Sequence, residues 1–210
     1  MINIYYLKLD EFNIDFNKAK NVLSDLRKEK LAKITNEEVK KESMAVEIIL
    51  QYAFKEYGFD IPKQYSYQEN GKPVASDVYF SIAHTIGAVI VAVGNNPVGI
   101  DIERKHLVKN EIARKILTKD ELDYFNDNKV NEYLLDSFVR KESFFKMTGE
   151  GIGDNLTHES VIDILNTSKQ VALCFDDYIS IITTKEKDLY DVTKISQNDL
   201  EKLINEVNYE

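Results

Sequence analysis

Two carboxylates stand two residues apart in segment 98–103, at Asp101 and Glu103. The alternating pattern predicts a strand, so both side chains share one face while Ile100 and Ile102 point into the core. At about 5 Å and an effective dielectric near 20, two such charges repel by roughly 3 kcal/mol. Mg²⁺ or Ca²⁺, which take oxygen ligands, would relieve this repulsion, as would protonation of one carboxyl group. A solvent-facing strand edge would produce the same pattern.

A second charged pair lies in a predicted helix over residues 131–148. Glu142 and Lys146 are four residues apart and therefore share a helix face. They could form an ordinary surface ion pair, which stabilises a helix by a few tenths of a kcal/mol. Alternatively, Glu142 binds a metal ion and Lys146 binds a phosphate. Gly149 and Gly151 break the helix, which can let the backbone approach a ligand.

A third set of residues precedes the acidic strand. Lys72 and Pro73 follow the turn signal Asn70-Gly71, and His84 stands at the end of a strand-like run. A histidine in this place is usually a structural hydrogen-bonding group. Beside a polyanion it would contact phosphate.

The elements that must position these residues alternate between strands and helices. Thr35 with Glu38 forms a capping-box pattern before an apolar helical stripe, and Ser196 with Asp199 caps a short C-terminal helix. Other predicted helices are 17–31, 109–117, 119–126 and 131–148. Predicted strands are 2–9, Val78–His84, Ala88–Val93, Val98–Glu103, Val161–Leu165, Val171–Phe175 and Ile179–Thr183. This order predicts an α+β fold with two similar halves meeting near residue 100.

Composition excludes several classes of protein. The 210-residue chain has a net charge of -9, which argues against general nucleic-acid binding, although residues 18–41 are locally basic. No apolar segment approaches the roughly 20 residues that span a bilayer, and we see no signal peptide. A single cysteine, Cys174, excludes an internal disulfide, and we expect it to be buried. These features predict a cytoplasmic protein.

The four motifs G-K-P, F-S-I-A-H-T, V-G-I-D-I-E and F-V-R-K-E-S-F-F-K, in this order and spacing, resemble the surfactin-type 4′-phosphopantetheinyl transferase family. The resemblance covers residues 27 to 152. It implies two pseudo-symmetric α+β lobes, an N-terminal lobe at 1–100 and a C-terminal lobe at 101–210, with the active site in the cleft between them. It further implies transfer of 4′-phosphopantetheine from coenzyme A to a serine of an apo acyl or peptidyl carrier protein, releasing 3′,5′-ADP. We expect a monomer, because one chain supplies both lobes.

The same resemblance implies a role for individual residues. Asp101, Glu103 and Glu142 match the family's Mg²⁺ ligands, and Lys146 its phosphate-contacting lysine. Residues implied on the coenzyme A side are His84, Lys30 and Lys33 near the 3′-phosphate, and Lys72 and Pro73 beside the adenine. Glu121 matches an acidic residue linked to the metal or to serine activation, but Thr118-x-x-Glu121 is also a capping box. Glu142, Glu121 or a metal-bound water could accept the serine proton.

The chain departs from the family pattern at the second helix. An arginine is often expected near its start, whereas Glu42 stands at that position with Lys40 and Lys41 beside it. Two other functions remain open. One is a Mg²⁺-dependent phosphoesterase that uses the same acidic residues, and the other is a coenzyme A-binding or carrier-binding module without activity.

Overall fold

The computed structural model describes residues 1–105, 110–128, 130–151, 153–175 and 177–209. The strands are β1 (Ile2–Lys8), β2 (Ser66–Tyr67), β3 (Pro73–Val74), β4 (Tyr79–Thr85), β5 (Ala88–Gly94), β6 (Val98–Arg104), β7 (Lys169–Phe175), β8 (Tyr178–Thr184) and β9 (Tyr190–Lys194). The helices are α1 (Phe16–Ala19), α2 (Asp25–Ala32), α3 (Glu37–Glu56), α4 (Ala113–Ile116), α5 (Lys119–Asn128), α6 (Asn131–Thr148), α7 (Val161–Thr167) and α8 (Gln197–Tyr209). The predicted α+β class is confirmed.

The first sheet has four strands in the order β4-β5-β1-β9. Strand β1 pairs antiparallel with β5 and parallel with β9. Helix α3 covers this sheet with a fully buried stripe that includes Ile48, Ile49 and Phe54. The Asn36 side chain begins the helix by accepting hydrogen bonds from the backbone N–H groups of Glu38 and Val39.

The second sheet has three antiparallel strands in the order β6-β8-β7, and α6 packs on it. Gly99 of β6 permits a very close approach of the helix. A Cβ atom at this position would lie 1.9 Å from the carbonyl oxygen of Ser143 and 2.5 Å from the backbone nitrogen of Met147. The acidic strand therefore lies directly against the backbone of the helix that carries Glu142 and Lys146.

The two sheets meet where β4 packs beside β6. The backbone N–H of Ile100 donates a 3.0 Å hydrogen bond to the Ser81 hydroxyl, and Ile100 and Ile102 belong to one apolar cluster with Ile4 and Ile90 of the first sheet. This junction brings the histidine end of β4 next to the acidic residues of β6.

Several local predictions are wrong at the level of single elements. The predicted helix 17–31 is two helices, because Ser24 caps α2 by accepting from the Arg27 N–H. The predicted strand Val161–Leu165 is helix α7, and the cap of α3 is Asn36 rather than Thr35. Strand β9 was not predicted, and Cys174 is exposed.

The remaining elements agree with the predictions to within a few residues. Predicted helix 109–117 is represented by the short helix α4, and its first residue lies outside the described ranges. Strand β9 joins the first sheet beside β1. Helix α8, which follows β9, contacts α3. The division into lobes at residue 100 stays a prediction. No helix within the described part of the chain is long and apolar enough to cross a membrane.

Candidate active site

The acidic strand and the charged face of α6 converge on one point. Lys146 Nζ lies 2.6 Å from Asp101 Oδ1 and 3.7 Å from Glu142 Oε2. Glu103, two residues after Asp101 on the same face of β6, accepts a 2.8 Å hydrogen bond from the Thr85 hydroxyl at the end of β4. The three predicted metal-binding carboxylates and the predicted phosphate-binding lysine therefore occupy neighbouring positions.

Burial makes this cluster electrostatically unusual. Asp101 is only 3% exposed, and desolvation raises the pKa of its carboxyl group, with Lys146 partly offsetting the rise. Desolvation, together with the nearby Asp101 charge, raises the pKa of Glu142 to about 7. Asp101 Oδ2 is buried and has no hydrogen-bond partner among the described residues. The cluster thus contains more negative charge and more acceptor capacity than Lys146 alone satisfies.

The donor set fits a hard divalent cation. All three side chains offer oxygen atoms, the ligands that Mg²⁺ prefers, and the unpartnered Asp101 Oδ2 supplies a free acceptor. Within the described ranges, however, no group of three acidic, histidine or cysteine side chains is already arranged to hold a metal ion. Lys146 supplies the positive charge beside Asp101 in the structure, so its ammonium group must move if a cation is to take that place.

A cavity of about 290 Å³ opens beside Lys146; we call it the Lys146 cavity. Lys72 and Pro73 line its opposite wall, with Phe145 and Ile82 as apolar neighbours. The Lys72 ammonium group donates a 3.0 Å hydrogen bond to the Met147 carbonyl, and burial lowers its pKa. The structure therefore brings the predicted adenine-side residues together with the predicted phosphate-binding lysine.

A second cavity of about 270 Å³ shares Pro73 and Ile82 with the first; we call it the His84 cavity. It is also lined by Lys30 and His84, which the resemblance assigns to a common ligand group. Lys33 ends α2 with an exposed side chain and does not line this cavity. The two cavities therefore adjoin at Pro73 and Ile82, with Lys146 lining one and Lys30 the other.

Glu121 lies in a different environment from the other acidic residues. One of its oxygens accepts from Lys141 Nζ at 2.6 Å and from the Thr118 N–H at 2.9 Å, and the other accepts from the Val161 N–H at 2.8 Å. The capping-box interpretation is therefore confirmed. Among described residues, no hydrogen bond or ion pair joins Glu121 to Asp101, Glu103 or Glu142.

Sequence reasoning missed Lys141, which is fully buried beside Glu142 in the chain. Its ammonium group donates to the Ile116 carbonyl at 2.9 Å and to the Leu156 carbonyl at 2.8 Å, in addition to Glu121. The only sequence signal for the burial of Lys141 is that its neighbours at helical spacing on α6 are mostly apolar. Thr85, which orients Glu103, was visible only as the last residue of a strand motif.

Comparison with known proteins gives a consistent result. The sequence model of the 4′-phosphopantetheinyl transferase superfamily matches residues 97–197. The chain is 34% identical over 104 residues to the 4′-phosphopantetheinyl transferase Sfp of Bacillus subtilis (strain 168), covering 47% of this chain and 46% of that protein. It is 35% identical over 88 residues to the 4′-phosphopantetheinyl transferase gsp of Aneurinibacillus migulanus, covering 40% and 37%.

A holo-[acyl-carrier-protein] synthase of Streptococcus equi subsp. zooepidemicus is 41% identical over 71 residues, which are 32% of this chain and 58% of that protein. The chain spans about half the length of the curated relatives it matches. The matched segment 97–197 contains β6, α6 and therefore the whole acidic cluster. This segment is therefore similar to the 4′-phosphopantetheinyl transferase superfamily, and the resemblance of the chain to the surfactin-type members is confirmed.

Proposed function

We propose that this chain transfers the 4′-phosphopantetheine arm of coenzyme A to a serine of an apo acyl or peptidyl carrier protein, releasing 3′,5′-ADP. One observation carries the proposal. Asp101 and Glu142 both lie close to Lys146, which lines a cavity together with a second lysine, Lys72. Acidic metal ligands beside lysines suit a substrate with a pyrophosphate, and the superfamily match supports this chemistry.

In this proposal, Asp101, Glu103 and Glu142 would hold Mg²⁺, and Lys146 would move from Asp101 to the phosphate. The bound ion would supply charge neutralisation to the pyrophosphate and to the leaving group. Coenzyme A would lie along the two connected cavities, with its adenine near Lys72 and Pro73. Its 3′-phosphate would face the His84 cavity, where Lys30 is the cation without a partner among the described residues and Lys33 lies outside the wall.

The chain's own residues then have separate tasks. Lys146 neutralises charge that develops on the transferring phosphoryl group. The attacking serine must lose a proton, and Glu142 is better placed to accept it than Glu121. Every Glu121 oxygen already accepts hydrogen bonds from Lys141 or the backbone, whereas Glu142 lies within the acidic cluster, 3.7 Å from Lys146.

We further propose that the two sheets, each covered by one long helix, represent two lobes with the active site at their junction. The Lys146 cavity is lined by residues of β4 and of α6, which pack on different sheets. Because one chain supplies both walls, no second copy is needed to complete the site, and we expect a monomer.

The reaction is tested by intact-mass spectrometry of an apo carrier protein incubated with the chain, coenzyme A and Mg²⁺. We expect the carrier to gain one phosphopantetheine unit, roughly 340 Da, and to gain nothing when EDTA is present. Asp101→Ala should abolish the gain while the protein stays folded. Lack of any gain across several carrier types, with phosphopantetheine released from coenzyme A in the same tubes, would identify a phosphoesterase instead.

A further inference from the structure

The His84 cavity holds little uncompensated positive charge. Arg27 contributes to its wall, but the guanidinium group is buried and engaged by Glu47 at 3.1 Å, the Ser43 hydroxyl at 2.9 Å and the Tyr65 hydroxyl at 3.3 Å. Lys30 is the one cation of this wall that has no partner among the described residues.

A carboxylate also faces this cavity. Glu42 of α3 lines the wall, and its Oε1 lies 2.7 Å from His84 Nδ1. This ring nitrogen is therefore already hydrogen-bonded to the carboxylate. Neither of the two lysines that precede Glu42 lines the His84 cavity. Lys40 lies over the Phe16 ring at 5.6 Å, and Lys41 lines a neighbouring groove at the start of α3 that Glu42 also borders.

The formal charge of the cavity is therefore close to zero, since Glu47 pairs with Arg27 and the negative charge of Glu42 equals the positive charge of Lys30, to which no described ion pair joins it. We infer that Glu42 sets the donor preference of this enzyme by repelling a phosphate monoester at this position, so that 3′-dephospho-coenzyme A binds nearly as well as coenzyme A. This inference rests on the proposed function, because it places the 3′-phosphate of the donor in the His84 cavity.

The size of the effect follows from Coulomb's law. A carboxylate about 6 Å from a doubly charged phosphate weakens binding roughly tenfold even at the dielectric constant of water, and more in a partly buried wall. Glu42 is about one-third exposed, so solvent moderates the effect without removing it. The pyrophosphate and pantetheine, which both donors share, make the same contacts in each complex.

The test is isothermal titration calorimetry of the full chain with Mg²⁺, using coenzyme A and 3′-dephospho-coenzyme A in parallel. In the unmodified protein we expect the two Kd values to differ by less than about tenfold, and Glu42→Gln to increase the preference for coenzyme A roughly five- to tenfold. Glu38→Gln is the matched control. It removes the same charge one helical turn earlier, outside the His84 cavity, and should change the ratio of Kd values clearly less than Glu42→Gln does.

Four results would overturn the inference. A strong preference for coenzyme A that Glu42→Gln leaves unmoved would show that the carboxylate has no influence on the phosphate. A preference that falls in Glu42→Gln would show that Glu42 assists binding by orienting His84. Failure of both ligands to bind any variant would contradict the proposed function as well. A change in the ratio of Kd values in Glu38→Gln alone would show that the repulsion does not come from Glu42. A thermal melt of each variant confirms that it is folded.

Discussion

The contact between Gly99 and α6 gives the sharpest prediction from the fold. Gly99→Ala would place a Cβ atom 1.9 Å from the Ser143 carbonyl oxygen, where real Cβ atoms essentially never come closer than 3.0 Å. Both partners are backbone, so neither can rotate away. Strand and helix must therefore separate by about 1 Å, a displacement of the size that costs an enzyme about a hundredfold in rate.

The cost has a stability part and a catalytic part. Overpacking of this kind destabilises a protein by about 1–3 kcal/mol, which lowers the Tm of a chain of this length by roughly 2–12 °C. The separation also stretches the 2.6 Å contact between Asp101 and Lys146, because the close packing at Gly99 holds β6 and α6 at the distance that this contact requires. We expect kcat/KM for carrier modification to fall by about two orders of magnitude at temperatures where the variant is folded.

The assay combines thermal denaturation with rates of carrier modification. Gly94→Ala is the matched control, since this buried strand glycine would bring its Cβ to 3.0 Å from the Ile2 side chain, which can adjust. Its rate should stay within a few-fold of the unmodified protein. A Gly99→Ala protein with unchanged Tm and unchanged rate would refute the close packing of β6 on α6.

Three further perturbations probe other contacts. Lys141→Met should destabilise the fold by about 3–5 kcal/mol in denaturant unfolding, because it leaves the Glu121 carboxylate buried and without its lysine. Adding Glu121→Gln should recover part of this loss. If the free-energy changes of the two single variants simply add in the double variant, the pairing is contradicted. Glu142→Gln should stabilise the metal-free protein at pH 8 by at most about 3 kcal/mol and give no gain at pH 4. The raised pKa of Glu142 means that the folded state binds the Glu142 proton more tightly than the unfolded state does. The stabilisation that this proton gives the unmodified protein is present at low pH and is lost as the pH rises through about 7. Equal effects of Glu142→Gln at both pH values would contradict this sign. Asn36→Ala should cost about 1 kcal/mol in the same unfolding assay while Thr35→Ala costs little, and the reverse order would restore the cap predicted from sequence.

Local periodicity was enough to predict the elements that carry the chemistry. Strand-like runs bounded by turn residues located β4, β5 and β6, and strand alternation placed Asp101 and Glu103 on one face. Helical spacing placed Glu142 and Lys146 on one face of α6. These predictions succeed because they depend on backbone geometry within one element.

Predictions that depended on distant partners failed or stayed open. Segment 161–165 reads as a strand from its apolar residues, but Ser160 caps it as a helix and Glu121, forty residues earlier, accepts from the Val161 N–H. Strand β9 forms because its partner is β1, at the opposite end of the chain. Such contacts override local propensity and leave no periodic signal.

The sequence by itself determined which residues could form the site, namely the acidic pair of one strand and the charged pair of one helix. It also determined the superfamily that their motifs resemble. Only the tertiary structure decided how they meet. Packing across Gly99 brings Lys146 onto Asp101, and burial leaves one Asp101 oxygen without a partner in the described part of the chain. Folding turns Glu42 toward His84, while Lys40 and Lys41 do not line the His84 cavity. The physical reason is that burial and charge compensation depend on neighbours from other elements, which spacing along one element does not specify.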